Sequence, residues 1–206
     1  MIVAIESAST DPSIALAQPD GQPIHVEGWS AMPRQAHELL SRLEAALRAA
    51  GGELADVSAI GIGTGPGSFT GLRVGMSLSK GLALALGVPL VGVPSLEAWL
   101  ESEPQADAAL TRAGAVDAYL LSRGETEPRI VVREELSHDA QLVAPVELAE
   151  AFGLEKSTPP RNAAAAVARA AASRLASDPT GDDLERLEPR YLRAPRGVPV
   201  AVGRSG

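Results

Sequence analysis

The run Gly61-Ile-Gly-Thr-Gly-Pro-Gly-Ser-Phe-Thr-Gly-Leu-Arg-Val-Gly75 constrains this chain more than any other segment. It follows an apolar stretch that reads as a strand, Val57–Ile62, and leads into an apolar helix, Ser68–Leu86. Glycines at 61, 63, 65 and 67 admit backbone angles that a Cβ forbids and let neighbouring segments approach closely. A chain carrying this turn must place a strand, a tight loop and a helix in immediate succession. That is the grammar of a layered α/β protein. Two chemical roles stay open for the loop. The amides of Gly65, Gly67 and Ser68 could cradle an anion at a helix N-terminus, or the small residues could serve a strained, closely packed turn. The usual phosphate signatures are absent: Lys80 precedes Gly81 in the wrong order for G-x-x-x-x-G-K-[ST], and Pro66 interrupts G-x-G-x-x-G.

The flanking segments supply the rest of the layer. Ile2–Ile5, Ser13–Ala17 and Ile24–Gly28 read as strands separated by Ser9-Thr-Asp-Pro12 and Gln18-Pro-Asp-Gly21. Ala36, Leu39, Leu40, Leu43, Leu47 and Ala50 recur at helical spacing, which predicts a helix over 34–50 that Gly51-Gly52 ends. Leu90–Val93 and Ser95–Glu101 add a strand and the start of a helix. The order β-β-β-α-β-α-β-α predicts a mixed sheet with helices on its faces, as in the ribonuclease H-like core of the actin superfamily. Beyond the polar break at Glu101–Asp107 lie a strand pair (Ala115–Leu121 and Arg129–Val132), a short helix (Pro145–Phe152) and an alanine-rich helix (Asn162–Ala176). These predict a smaller, degenerate second lobe, so the expected division is 1–100 and 101–206.

Composition narrows the chemistry. The 206 residues contain no cysteine, three histidines, and 18 Lys and Arg against 26 Asp and Glu, a net charge of −8. Thiol nucleophiles, disulfides and thiolate metal sites are excluded, and a broadly basic nucleic-acid surface is disfavoured. The most apolar region, Gly81–Val93, is broken by Gly87 and Pro89 and falls short of the ~20 residues that a membrane helix needs. The expectation is a cytoplasmic protein with no membrane partner.

Individual residues point the same way. His37 has Ser41, not a second ligand, one helical turn on, so no metal site is expected there. Glu6-Ser-Ala-Ser-Thr-Asp11 offers hydroxyls and acids that either face a ligand or satisfy the turn's own backbone. Gly71, Gly75 and Ser79 form a small-residue stripe on a helix that is apolar nearly all round. That helix is buried between two layers, the second belonging to this chain or to a partner. Arg190, Arg193 and Arg196 beside Tyr191 suit phosphate and base contacts, or a tail packed back on the fold.

The motif Gly65–Gly75, with Lys80-Gly-Leu-Ala, Pro89 and Gly92-Val-Pro-Ser-Leu96, resembles the signature of the TsaB (YeaZ) family. Ile5-Glu-Ser-Ala-Ser-Thr-Asp-Pro-Ser-Ile-Ala-Leu16, His37-Glu-Leu-Leu and Glu188-Pro-Arg-Tyr-Leu-Arg193 are similar to further family segments. The resemblance covers 1–100 and, locally, 187–193. It implies an actin-like ATPase fold and a non-catalytic subunit of the complex that places threonylcarbamoyl on adenosine 37 of tRNAs reading ANN codons. The implied partners are a TsaD-like transferase subunit, a TsaE-like ATPase or a second copy of the chain, with tRNA met mainly through the complex. Pairing is implied through helices 34–50 and 68–86, with His37, Leu40, Gly71, Arg73, Gly75 and Ser79 at the interface. The chain departs from the pattern at Glu6 (Asp in the family), at Ala8 (a hydroxyl residue), at Asp117-Ala118-Tyr119 (where Arg is missing) and at His37…Ser41 (a His pair in catalytic relatives). No metal, cofactor or catalytic residue is therefore expected. The competing expectation is an ATP-dependent phosphotransferase or a peptidase of the same superfamily.

Overall fold

The computed structural model describes residues 1–30, 35–137 and 139–192, with the side chains of 35–37 outside the description. Three strands open the chain: β1 (Ile2–Glu6), β2 (Ser13–Ala17) and β3 (Pro23–Gly28). After α1 (Gln35–Ala49) come β4 (Ala59–Gly63), α2 (Phe69–Leu86), β5 (Leu90–Val93) and α3 (Ser95–Ser102). The sheet order is β3-β2-β1-β4-β5. The first two pairings are antiparallel, as short turns require, and β1–β4 and β4–β5 are parallel, as helical crossovers require.

The central strands are apolar throughout because both faces of the sheet are covered. Val3, Ile5, Ile14, Leu16, Ile60 and Ile62 face Leu39 and Leu43 of α1 and Met76 and Ala83 of α2. The alternate residues Ile2, Ala4, Ala15, Ala17 and Ala59 meet α5 (Ala163–Ser177), whose Ala164, Val167, Ala168 and Ala171 lie on them. This second contact is made almost wholly of small side chains, so helix and sheet approach closely. A Cβ on Gly61 would sit 3.0 Å from Val167 Cγ1 and 3.2 Å from Ala171 Cβ.

A second sheet repeats the first. Its strands are β6 (Ala108–Arg112), β7 (Asp117–Ser122), β8 (Arg129–Val132), β9 (Leu142–Val143) and β10 (Ser157–Thr158), in the order β8-β7-β6-β9-β10. Pairing senses match those of the first sheet strand for strand. Where the first sheet has α1 between its third and fourth strands, the second has among the described residues a single 3-10 turn at Arg133–Glu135; α4 (Val146–Phe152) links β9 to β10. The expected two mixed sheets, the second truncated, are present. The sequence expectation missed β6, β9 and β10: β6 (Ala-Ala-Leu-Thr-Arg) holds a single β-branched residue, and β9 and β10 are two residues each. Trp99 and Leu96 of α3 and Leu72 of α2 join Ala109, Tyr119, Leu121 and Val143 in a core between the sheets. Among the described residues no helix is long and apolar enough to cross a membrane.

Gly61→Ala is expected to destabilise the fold by about 1–3 kcal/mol. Val167→Ala in the same chain should recover part of that loss, so a double-mutant cycle by urea denaturation should show the two changes to be non-additive.

Candidate functional site

The edges of β1, β4 and α2 converge where the two sheets meet. β1 ends at Glu6, whose side chain lies on the α3 side, buried. Its Oε1 accepts from the Ala8 amide at 2.7 Å. Oε2 faces the start of α3 without a regular hydrogen bond, and a Cβ on Gly63 would overlap it. Burial raises the Glu6 carboxyl from 4.5 to about 7, against the opposing pull of the Ala8 amide, the Ser95 and Trp99 side chains and the Ser7 amide.

The β1–β2 turn then engages the second lobe. Asp11 is fully buried. Its Oδ2 accepts from Val146 N, at the first turn of α4, at 3.2 Å, and its Oδ1 meets Arg161 Nε at 3.2 Å. The Thr10 hydroxyl donates to the Glu147 carboxylate, and Ser7 Oγ donates to Gly71 O at 2.9 Å. The acids and hydroxyls of Glu6–Asp11 thus hold the chain's own elements together.

The glycine loop packs on that turn. Ser68 N donates to Ala8 O at 2.6 Å, Gly65 N to Ser95 Oγ at 2.9 Å, and Gly71 N to the capping Ser68 Oγ at 3.2 Å. Gly65 has φ +96°, which favours glycine, and a Cβ on Gly67 would overlap Ala8 O. At Gly65, Gly67 and Ser68 these contacts pack the loop closely, and the Gly65 and Ser68 amides are donated within the chain.

The residues expected at a partner interface divide into two groups. Gly71, Gly75 and Ser79 are buried on the inner face of α2. A Cβ on Gly75 would overlap Ser7 Oγ and lie 3.2 Å from Ile62 Cδ1, so the stripe admits the chain's own sheet. Leu40 and Arg73 are on the surface, joined by Phe69 and, at 77% exposed, Leu84, which the sequence pattern did not single out. His37 lies in the first turn of α1, its side chain outside the described residues. His138, Arg193 and Arg196 also lie outside them. Arg190 pairs with Glu127 at 3.3 Å and donates its backbone N–H to Thr64 O at 2.7 Å. Tyr191 rests on Phe69 with ring centroids 5.3 Å apart and accepts from Arg73 Nε at 3.2 Å. This segment is packed back on the fold. Among the described residues no group of three or more His, Asp or Glu side chains is placed to hold a metal.

Residues 31–184 match the family model described as TsaD, tRNA N6-adenosine threonylcarbamoyltransferase. The tRNA threonylcarbamoyladenosine biosynthesis protein TsaB of Escherichia coli is 33% identical over 120 residues, covering 58% of this chain and 51% of that protein. The protein of the same name from Haemophilus influenzae is 29% identical over 138 residues, covering 67% of this chain and 56% of that protein. The chain thus spans about half the length of these curated relatives. A solved structure, YeaZ from Pseudomonas aeruginosa, superposes with a TM-score of 0.69 at 22% identity, over 93% of this chain and 99% of that one, and shows the fold. The TsaB (YeaZ) resemblance carried by the motifs holds in these comparisons.

Glu6 gives a pH signature. A carboxyl whose folded pKa is about 7 and whose unfolded value is near 4.5 binds more protons folded than unfolded in between. Stability therefore falls as pH rises through that interval and is level above it, by about 3 kcal/mol in all. Glu6→Gln, neutral throughout, should match the wild type near pH 4.5 and exceed it at pH 8. Urea midpoints at the two pH values measure the difference.

Proposed function

Because this chain belongs to the family described as TsaD, tRNA N6-adenosine threonylcarbamoyltransferase, and resembles TsaB proteins, we propose that it serves tRNA threonylcarbamoyladenosine biosynthesis as a non-catalytic subunit. It binds and supports a TsaD-like transferase subunit in the cytoplasm, in an assembly that a TsaE-like ATPase also engages, and it pairs with a second copy of itself when that subunit is absent. The observation that carries this reading is the self-occupied junction between the lobes. The buried Asp11 carboxylate accepts from the first turn of α4 and from Arg161, at the kind of helix terminus where an anionic ligand would otherwise bind. The amides of Ala8, Gly65 and Ser68 are likewise donated within the chain. With these three amides engaged inside the chain, the loop and turn support a subunit that contributes surface, not chemistry.

The surface in question is the outer face of α1 and α2, with Leu40 45%, Phe69 43% and Leu84 77% exposed. The net charge of −8 assigns most of the grip on tRNA to the partner.

Reconstitution tests the reading. The chain alone, supplied with ATP, magnesium and tRNA, should transfer no threonylcarbamoyl, while adding it to the TsaD-like and TsaE-like proteins of the same source should raise their transfer rate. Turnover of ATP by the isolated chain would replace this reading with the phosphotransferase. Leu84→Asp should leave the melting temperature unchanged and weaken association by at least about tenfold, as expected when a charge enters an apolar contact. Sedimentation velocity reads both pairings. Gly75→Val, by contrast, should destabilise the monomer by about 3 kcal/mol or more through its clash with Ser7 and Ile62.

A further inference from the structure

Between α2 and the segment 187–191 lies a hollow of about 270 Å³, lined by Arg73, Met76, Ser77, Lys80, Leu187, Glu188, Pro189 and Tyr191. Arg73, Ser77 and Lys80 stand at i, i+4 and i+7 and so share one stripe of the helix. Met76, 4% exposed, belongs to the core beneath, and Leu187 packs against the same core.

Two cations without an acidic partner among the described residues stand together on this wall. With acids in excess, most cations find one: Arg42 meets Glu27 and Glu38, Arg161 meets Asp11, Arg169 meets Glu101, Arg174 meets Asp182 and Arg190 meets Glu127. Arg73 and Lys80, on the same wall of one hollow, form no ion pair with a described residue. Arg73 is moreover held in place, its guanidinium 3.8 Å over the Phe69 ring and its Nε on Tyr191 Oη. A fixed guanidinium loses little freedom on meeting a carboxylate. Glu188 is the one acid on the lining, so the wall carries two cations against one anion.

Size and lining narrow the occupant. The hollow is smaller than the roughly 300–1,000 Å³ of small-molecule sites, too little for a whole nucleotide. Its floor is apolar and its rim cationic, the complement of a short aliphatic stem that ends in a carboxylate. We propose that the hollow formed by Arg73, Ser77, Lys80 and Met76 of α2 with Pro189 and Tyr191 receives a glutamate or aspartate side chain of a protein partner. This rests on the reading that the outer face of α2 is where the partner docks. The partner is recognised by an acidic residue projecting from its own packed surface.

The test uses the full chain with 13C-methyl-labelled methionine and glutarate as the probe, at constant ionic strength. Glutarate should displace the Met76 methyl resonance saturably, half-complete on the order of 1–10 mM, and neutral glutaramide should not. Lys80→Gln and Arg73→Gln should each weaken glutarate binding at least about fivefold, with the Met1 methyl resonance, packed on the core, unmoved as the control for folding. No displacement at about 50 mM glutarate, equal displacement by glutaramide, or preference for inorganic phosphate or tRNA over glutarate would overturn the proposal. In sedimentation with the TsaD-like protein, Lys80→Gln should weaken association about fivefold and flatten its salt dependence; wild-type affinity and salt dependence in that variant would overturn it as well. Glutarate binding by a chain that does not associate with the TsaD-like protein would leave the hollow standing and reject the function proposed above.

Discussion

The molecule is organised around one close contact, the alanine face of α5 against the alanine and glycine face of the first sheet. Ala4, Ala15, Ala17, Ala59 and Gly61 leave no room for larger side chains beneath Ala164, Val167, Ala168 and Ala171. Small residues bury little area each, but they bring backbones close enough for many dispersion contacts at native density. The opposite face works by bulk instead, with isoleucines and leucines filling a deeper layer under α1 and α2. The sheet is therefore held by a thin layer on one side and a thick one on the other. The thin side sets how α3, packed beside α5, can carry the chain to the second lobe.

The two sheets have the same strand order and pairing senses, yet only the first is covered by long helices. In the second, a 3-10 turn replaces the helix that would follow its third strand, and β8 leaves Ile130 and Val132 on the surface. One face of the second sheet packs against Trp99, Leu96 and Leu72 of the first lobe, and the other against Leu148 and Phe152 of its own α4. Polar groups at that seam, among them Asp11, Thr10, Glu147 and Arg161, fix the two lobes together.

Much of the first lobe was legible in the residues because each element carries its own signal: apolar strand runs bounded by turn residues, a 3.6-residue period in α1, glycines at the loop. The short strands β9 and β10 and the alanine-poor-in-branching β6 owe their form to pairing partners distant in sequence, which local propensity does not encode. The site was legible in its ingredients and not in its orientation. Gly71, Gly75 and Ser79 announce close approach, but spacing alone does not say whether the approaching surface is another helix or Ser7 and Ile62 of the same chain. Nor does it reveal that Asp11 turns into the seam toward α4, since residues 11 and 146 meet only once both lobes are in place.

The placement of α5 has a consequence for the order of events during synthesis. The strands of the first sheet are complete by residue 93, but the helix that covers their alanine face begins at residue 163, after the whole second sheet has been made. A nascent chain emerging N-terminus first thus holds an apolar sheet face open while some seventy further residues are added. For that interval the sheet carries apolar surface on the face that α5 later covers. Folding of the first lobe closes only when the last helix arrives.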